Sequence, residues 1–194
     1  MNCIQKLPEG YEVIRSVDLQ KDKKAMLTVN GIALVLTLVL FVIMNSIYSL
    51  PKWIVSSLED GTFFFQLIAL AIAAIAYVIL HEITHGITMK SFGGKEVRYG
   101  FTGMYAYAGS QNDWFSRNAY ICIALAPLVV WGIIFFVLPF LFPKYTWIFW
   151  FLQIFNVSGA AGDMYVTWLS TKMPASVYVR DTGVDMAFFD KKNS

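Results

Sequence analysis

Residues 63–80 read FFFQLIALAIAAIAYVIL, 18 residues in which Gln66 is the only strongly polar side chain. An apolar run of that length spans a bilayer as one helix, and lipid tolerates such a segment only as a helix because every backbone group must be paired internally. The run continues without a break into His81-Glu82-Ile83-Thr84-His85-Gly86. On a helix, positions four apart lie about 40° from each other, so His81 and His85 share a face and can grip one metal ion. Glu82 stands about 100° round from His81. Two neutral imidazoles with a carboxylate beside an activated water are what zinc-assisted hydrolysis requires. The chain has two histidines, and both are here. Short motifs also recur by chance, and a histidine pair can simply hydrogen-bond its neighbours. Against that stands the location: a charge at mid-bilayer costs about 2.5–3.5 kcal/mol on insertion scales, so an embedded Glu82 needs a use.

The rest of the chain points to the same solvent. Hydrophobic residues make up 57% and charged residues 14%, against about 25% charged in soluble domains, and the composition reads as a polytopic membrane protein. The expected fold class is an all-α membrane protein of about four transmembrane helices with a small β-hairpin after the HExxH helix. The net charge of +2 gives no argument for nucleic acid. Cys3 and Cys122 match no CxxC or zinc-knuckle spacing, and no disulfide between them is expected. The opening Met-Asn-Cys-Ile-Gln-Lys-Leu-Pro-Glu-Gly stays polar to about Met26, so no cleavable signal peptide is expected.

Three regions follow in order: a cytosolic amino-terminal tail (1–25), a four-span core (26–172, with the hairpin at about 92–111) and a cytosolic carboxy-terminal tail (173–194). In the first tail, Tyr11 to Arg15 alternates as a strand would, but a juxtamembrane anchor is favoured, with Ser16 and Asp18 as helix caps before Lys21, Lys23 and Lys24. Span one runs from Met26 to about Leu50, and a short interfacial helix through Trp53 precedes span two. Phe92-Gly93-Gly94 stops the motif helix, and Val97, Tyr99 and Phe101 alternate before Thr102-Gly103. That pattern suggests a hairpin whose edge strand aligns an extended substrate beside the metal; an ordinary amphipathic loop is the other reading. Span three starts near Trp114, with Asn112-Asp113 as its cap and Pro127 as a kink. Span four, about Thr146 to Thr171, carries small residues at 158–162 that permit close packing.

Asp163 is the acidic residue of that last span. Zinc with two histidines still lacks a protein ligand. Of the 15 lysines and arginines, all but Lys52 and Lys144 fall in the two tails and the middle loop, which puts both termini in the cytosol by the positive-inside rule. Spans two and four then run the same way. His85 and Asp163 lie about 6 Å and about 12 Å from their span ends at 1.5 Å per residue, which are compatible depths. Asn156, seven residues before Asp163, shares its helix face; it is a candidate oxyanion donor, or equally an interhelical hydrogen bond that holds the bundle. Thr84, Thr88 and Thr167 read as backbone-bonded residues or as supports for the ligands.

An HExxH span, an aromatic hairpin, Ala126-Pro127-Leu128 in the third span and Asn156 ahead of Asp163 resemble the core of the site-2 protease superfamily. The whole chain, including Tyr11-Glu12-Val13-Ile14-Arg15 and Val179-Arg180-Asp181-Thr182-Gly183, resembles a family of small bacterial membrane proteins described as zincin peptidases. The resemblance implies zinc on His81, His85 and Asp163, Glu82 as catalytic base, and hydrolysis of peptide bonds in membrane-embedded substrates. Site-2 proteases usually carry a proline and an Asp-Gly pair around the third ligand; here the text is Ser158-Gly159-Ala160-Ala161-Gly162-Asp163-Met164. No PDZ or CBS module is expected. The expected cofactor is zinc, the partners a membrane protein or peptide substrate and the lipid bilayer, and the location the cell membrane. The alternatives are a catalytically inactive zinc-binding scaffold or regulator, and a small metal transporter; four spans without an internal repeat argue against the latter.

Overall fold

The structure, a computed structural model, describes residues 2–18, 21–103 and 105–191. In chain order it runs β1 (Cys3–Ile4), β2 (Tyr11–Val17), α1 (Lys23–Ile47), α2 (Leu50–Glu59), α3 (Phe63–Ser91), β3 (Arg98–Phe101), β4 (Ala106–Gly109), β5 (Trp114–Ser116), α4 (Arg117–Leu141), a 3-10 turn (Pro143–Tyr145), α5 (Thr146–Gly159), α6 (Ala161–Thr171), β6 (Tyr178–Asp181) and β7 (Met186–Lys191). Among the described residues, three helices, α1, α3 and α4, are long and apolar enough to cross a membrane. Helices α4 and α5 pack along each other, with α1 against α5 and α3 against α4.

The expected fourth span is two helices. Ala160 ends α5 with φ −78° and ψ 10°, and it also caps α6. A glycine on either side, Gly159 and Gly162, lowers the cost of leaving the helical ladder, since each gives up more backbone freedom in a helix than alanine does. The break puts Asp163 in the first turn of α6, where the partial positive charge of a helix start favours a carboxylate.

An all-α fold with one hairpin describes only part of the molecule. Besides β3 and β4, which pair antiparallel, a five-stranded sheet of order β1-β5-β6-β7-β2 closes one end of the bundle. Both tails enter it: Tyr11 lies opposite Lys191 and Cys3 opposite Phe115. Tyr11–Val17 is therefore a strand, and the juxtamembrane-anchor reading is corrected. The cap of α1 is Asp22, whose carboxylate accepts from the Lys24 and Ala25 N–H groups; Ser16 lies within β2 instead. Met89, Phe115, Tyr120, Ile123, Leu169 and Phe188 fill the core between the sheet and the helix ends. A second core of Trp53, Tyr77, Phe135, Trp147 and Leu152 lies toward the opposite end.

Asp113 is not a helix cap. Its fully buried carboxylate accepts from the Lys95 and Glu96 N–H groups (2.9 and 3.0 Å), from Ser110 Oγ (2.7 Å) and from Gln5 Nε2 (3.3 Å). It thus ties the loop after α3 to the amino-terminal tail and to the end of β4. Burial pushes this carboxyl up, but the hydrogen bonds outweigh it and hold the group below its ordinary value. A depressed carboxyl stabilises the fold above the unfolded value of about 3.9, and that contribution vanishes as pH falls through the folded value. Asp113→Asn is expected to cost about 1–3 kcal/mol at neutral pH. Denaturation of the variant is expected to show a shallower acid loss than wild type between about pH 5 and pH 2; parallel acid profiles would refute the assignment.

Candidate metal centre

Tyr77, His81, His85 and Met89 follow one another at four-residue spacing on α3, so they form one stripe facing α4, α5 and α6. His81 Nε2 and His85 Nε2 stand 3.2 Å apart. The Asp163 carboxylate closes the triangle, with Oδ2 at 3.3 Å from His81 Nε2 and Oδ1 at 3.5 Å from His85 Nε2. Three donors about 2.0–2.1 Å from a tetrahedral zinc ion are separated by about 3.3–3.4 Å. The set therefore fits zinc in donor type and in spacing, and these three residues would hold it.

The imidazoles are aimed by what lies behind them. Neutral histidine binds a metal through one nitrogen while the other carries the proton. His85 Nδ1 lies 3.0 Å from the Ile123 carbonyl, an acceptor only. That carbonyl is unclaimed within its own helix because the residue four positions on is Pro127, which has no N–H to offer. His85 Nδ1–H donates there, leaving Nε2 bare toward Asp163. His81 Nδ1 lies 2.9 Å from Tyr77 Oη.

Glu82 is half-buried beside the triangle, and its carboxylate faces the backbone N–H of Ala108 on β4. A cavity of about 740 Å³ holds His81, Glu82, His85 and Asp163, with Asn30 and Asp185 farther along its wall. A second, largely apolar groove of about 830 Å³ runs between Ile75, Ile79 and the hairpin residues Tyr99 and Phe101. Glu82, Ala106 and Tyr107 border both spaces.

Gly86 is what lets the hairpin approach. A Cβ there would overlap the Tyr99 hydroxyl and ring. Gly86→Ala is expected to displace Tyr99 at an overpacking cost of about 1–3 kcal/mol. Hydrogen exchange of the β3 and β4 amides should rise about 5- to 100-fold with zinc content unchanged. Unaltered exchange would show that Tyr99 does not anchor the hairpin.

Asn156 is wholly buried and does not line the cavity. Its Nδ2 donates to the Leu128 carbonyl (3.1 Å), and its Oδ1 accepts from Tyr77 Oη (2.8 Å). In this structure its amide faces neighbouring helices, so a charge developing in the cavity would not meet it. Thr84 Oγ1 donates to Leu80 O and accepts from Trp131 Nε1, while Thr88 Oγ1 donates to Thr84 O. Thr167 Oγ1 is buried with no hydrogen-bond partner among the described residues. Tyr77 is the site residue that sequence reasoning missed, because a tyrosine in an apolar run reads as packing; its place four residues before His81 was the available signal.

An "Uncharacterized 24.7 kDa protein in gap 5'region" of Pyrococcus woesei is 29% identical over 145 residues, 70% of this chain. The chain spans about 60% of that relative's length. No solved structure matches. Residues 74–178, more than half of the chain and including all three donors and Glu82, match the family described as "Putative zincin peptidase", and the chain belongs to that family.

Proposed function

We propose that this protein is an intramembrane zinc metalloendopeptidase of the site-2 protease type, hydrolysing peptide bonds of membrane-embedded substrates. The observation that carries the reading is the donor triangle with Glu82 beside it, placed where the cavity that contains them meets an apolar groove. Zinc on such a site polarises a carbonyl and makes water acidic enough, with a pKa near 7, to be deprotonated at neutral pH. His81, His85 and Asp163 would hold the ion. Glu82 takes the proton from the attacking water and later gives one to the leaving amine. The Glu82 carboxylate faces the Ala108 N–H on the edge of β4 that is turned away from β3. An extended substrate segment pairing with that edge would lie against Glu82, with its apolar side chains in the groove.

In this reading the chain crosses the membrane four times with both termini in the cytosol, and the sheet supports that topology. The amino- and carboxy-terminal tails hold most of the lysines and arginines and share one sheet with strand β5 after the hairpin, which supports placing all three segments on the cytosolic side. Strand β5 precedes α4 and pairs with β6 after α6, so in this reading α5 and α6 together make the return crossing after α4.

The test uses purified protein in liposomes with a fluorescent reporter built on a single-span peptide, run beside a zinc-flux assay. Zinc-dependent cleavage lost in Glu82→Gln supports the reading. Zinc bound without cleavage by wild type would favour a scaffold, and flux that persists in Glu82→Gln a transporter; either outcome overturns it.

A further inference from the structure

Each ligand histidine needs an oxygen at Nδ1 that accepts its N–H hydrogen bond, and the two oxygens supplied are chemically different. The Ile123 carbonyl facing His85 can only accept. The Tyr77 hydroxyl facing His81 can accept or donate, and in the donating sense it would place its proton on Nδ1 and leave the hydrogen of His81 on Nε2, the atom that faces Asp163 and His85. Something else must set its direction.

We propose that Tyr77 and Asn156 form a directional hydrogen-bond relay that holds His81 in the metal-binding tautomer, with Asn156 as the residue that sets the direction. The reading rests on the zinc site described above. The relay begins at the Leu128 carbonyl on α4, an acceptor only. It receives Asn156 Nδ2–H at 3.1 Å, which fixes the orientation of the amide. Asn156 Oδ1 is then turned to Tyr77 and accepts the hydrogen bond of its hydroxyl across 2.8 Å. With its proton committed, Tyr77 Oη presents a lone pair to His81 Nδ1 at 2.9 Å, so Nδ1 carries the hydrogen and Nε2 is bare toward Asp163.

Among the described residues, the Tyr77 hydroxyl has His81 and Asn156 as its hydrogen-bond partners and no other. Tyr77 is 4% exposed and its ring is packed by Trp131, Phe135 and Phe155. A buried hydroxyl in an aromatic cage must bond to what the protein supplies. The three residues lie on α3, α4 and α5, so the relay also carries the packing of those helices to the metal. Tyr77 and Asn156 are positioning residues: neither lines the cavity.

The direction of the relay gives it a signature that ordinary packing lacks. Tyr77→Phe deletes the acceptor for Nδ1 and leaves the tautomer unassisted. Asn156→Leu frees the Tyr77 proton to turn toward Nδ1, which works against binding. Removing the hydroxyl as well takes that competitor away.

Zinc affinity is measured by chelator competition on purified full-length protein. Tyr77→Phe is expected to weaken binding about 10- to 100-fold, and Asn156→Leu at least as much. The double variant should bind no more weakly than Asn156→Leu alone, whereas independent packing effects would multiply. With only two histidines in the chain, nitrogen-15 histidine spectra of the zinc-loaded protein give a second readout. The Nδ1–H signal of His81 should lose its protection from solvent exchange in Tyr77→Phe, while that of His85 persists and reports an intact fold. Tyr77→Phe affinity within about twofold of wild type, or multiplicative losses in the double variant, overturns the relay. A wild type that binds no zinc overturns the metal site instead, so the two failures are told apart; if Asn156→Leu does not fold, Tyr77→Phe decides alone.

Discussion

Replacing Glu82 with glutamine is expected to slow peptide cleavage by about 10²- to 10⁴-fold, the range that a positioned general base supplies, while zinc stays bound at about one ion per chain. The separation is sharp because the substitution is nearly isosteric. Glutamine keeps the shape of the side chain and an oxygen that can face the Ala108 N–H on β4. What it loses is the ability to take a proton. The donor triangle does not include Glu82: His81, His85 and Asp163 alone stand within ligand distance of one another among the described residues. Turnover by liposome assay and zinc by elemental analysis on the same preparation check both halves. Full activity in the variant would remove Glu82 from the chemistry and leave the zinc site as a structural or regulatory feature.

How much of this was legible in the sequence depends on how far apart the interacting residues lie. His81, His85 and Glu82 sit within one and a half turns of helix, where the 3.6-residue period fixes relative direction, so their arrangement could be read from spacing alone. Asp163 joins them from 78 positions beyond His85; only the depth and direction of its span, inferred from charge, suggested the meeting. The five-stranded sheet was invisible for the opposite reason. Strand β1 has two residues and β5 three, too few for an alternating pattern, and β2 finds its partner β7 at the other end of the chain. Pairings of that separation leave no local trace. Asp113 was misread because an acidic residue ahead of an apolar helix is a sound cap by pattern, whereas here strand β5 intervenes and the carboxylate reaches back to Lys95 and Glu96. The helix break at Ala160 was written in the text as Gly159 and Gly162, but small residues serve close packing as well as they serve a break, and spacing does not choose between the two.

Asp163→Asn is the companion experiment, and the two carboxylates are expected to give opposite patterns. This substitution keeps the shape of the side chain and removes the charge, leaving two imidazoles and a neutral amide. Zinc affinity should fall by more than the roughly 10- to 100-fold that loss of a supporting residue costs, so that zinc is absent after dialysis against a chelator and cleavage is lost with it. His85→Ala provides the reference for a missing ligand. The position of Asp163 in the first turn of α6 adds to the effect, since the helix start that favours the carboxylate has no charge to act on in the amide. If Asp163 is instead the base and Glu82 the third ligand, the pattern inverts: Glu82→Gln loses zinc, and Asp163→Asn keeps it while losing turnover. The donor separations of 3.3 and 3.5 Å from Asp163 to the two imidazoles argue for the first arrangement, and zinc measured side by side in the two variants decides between them.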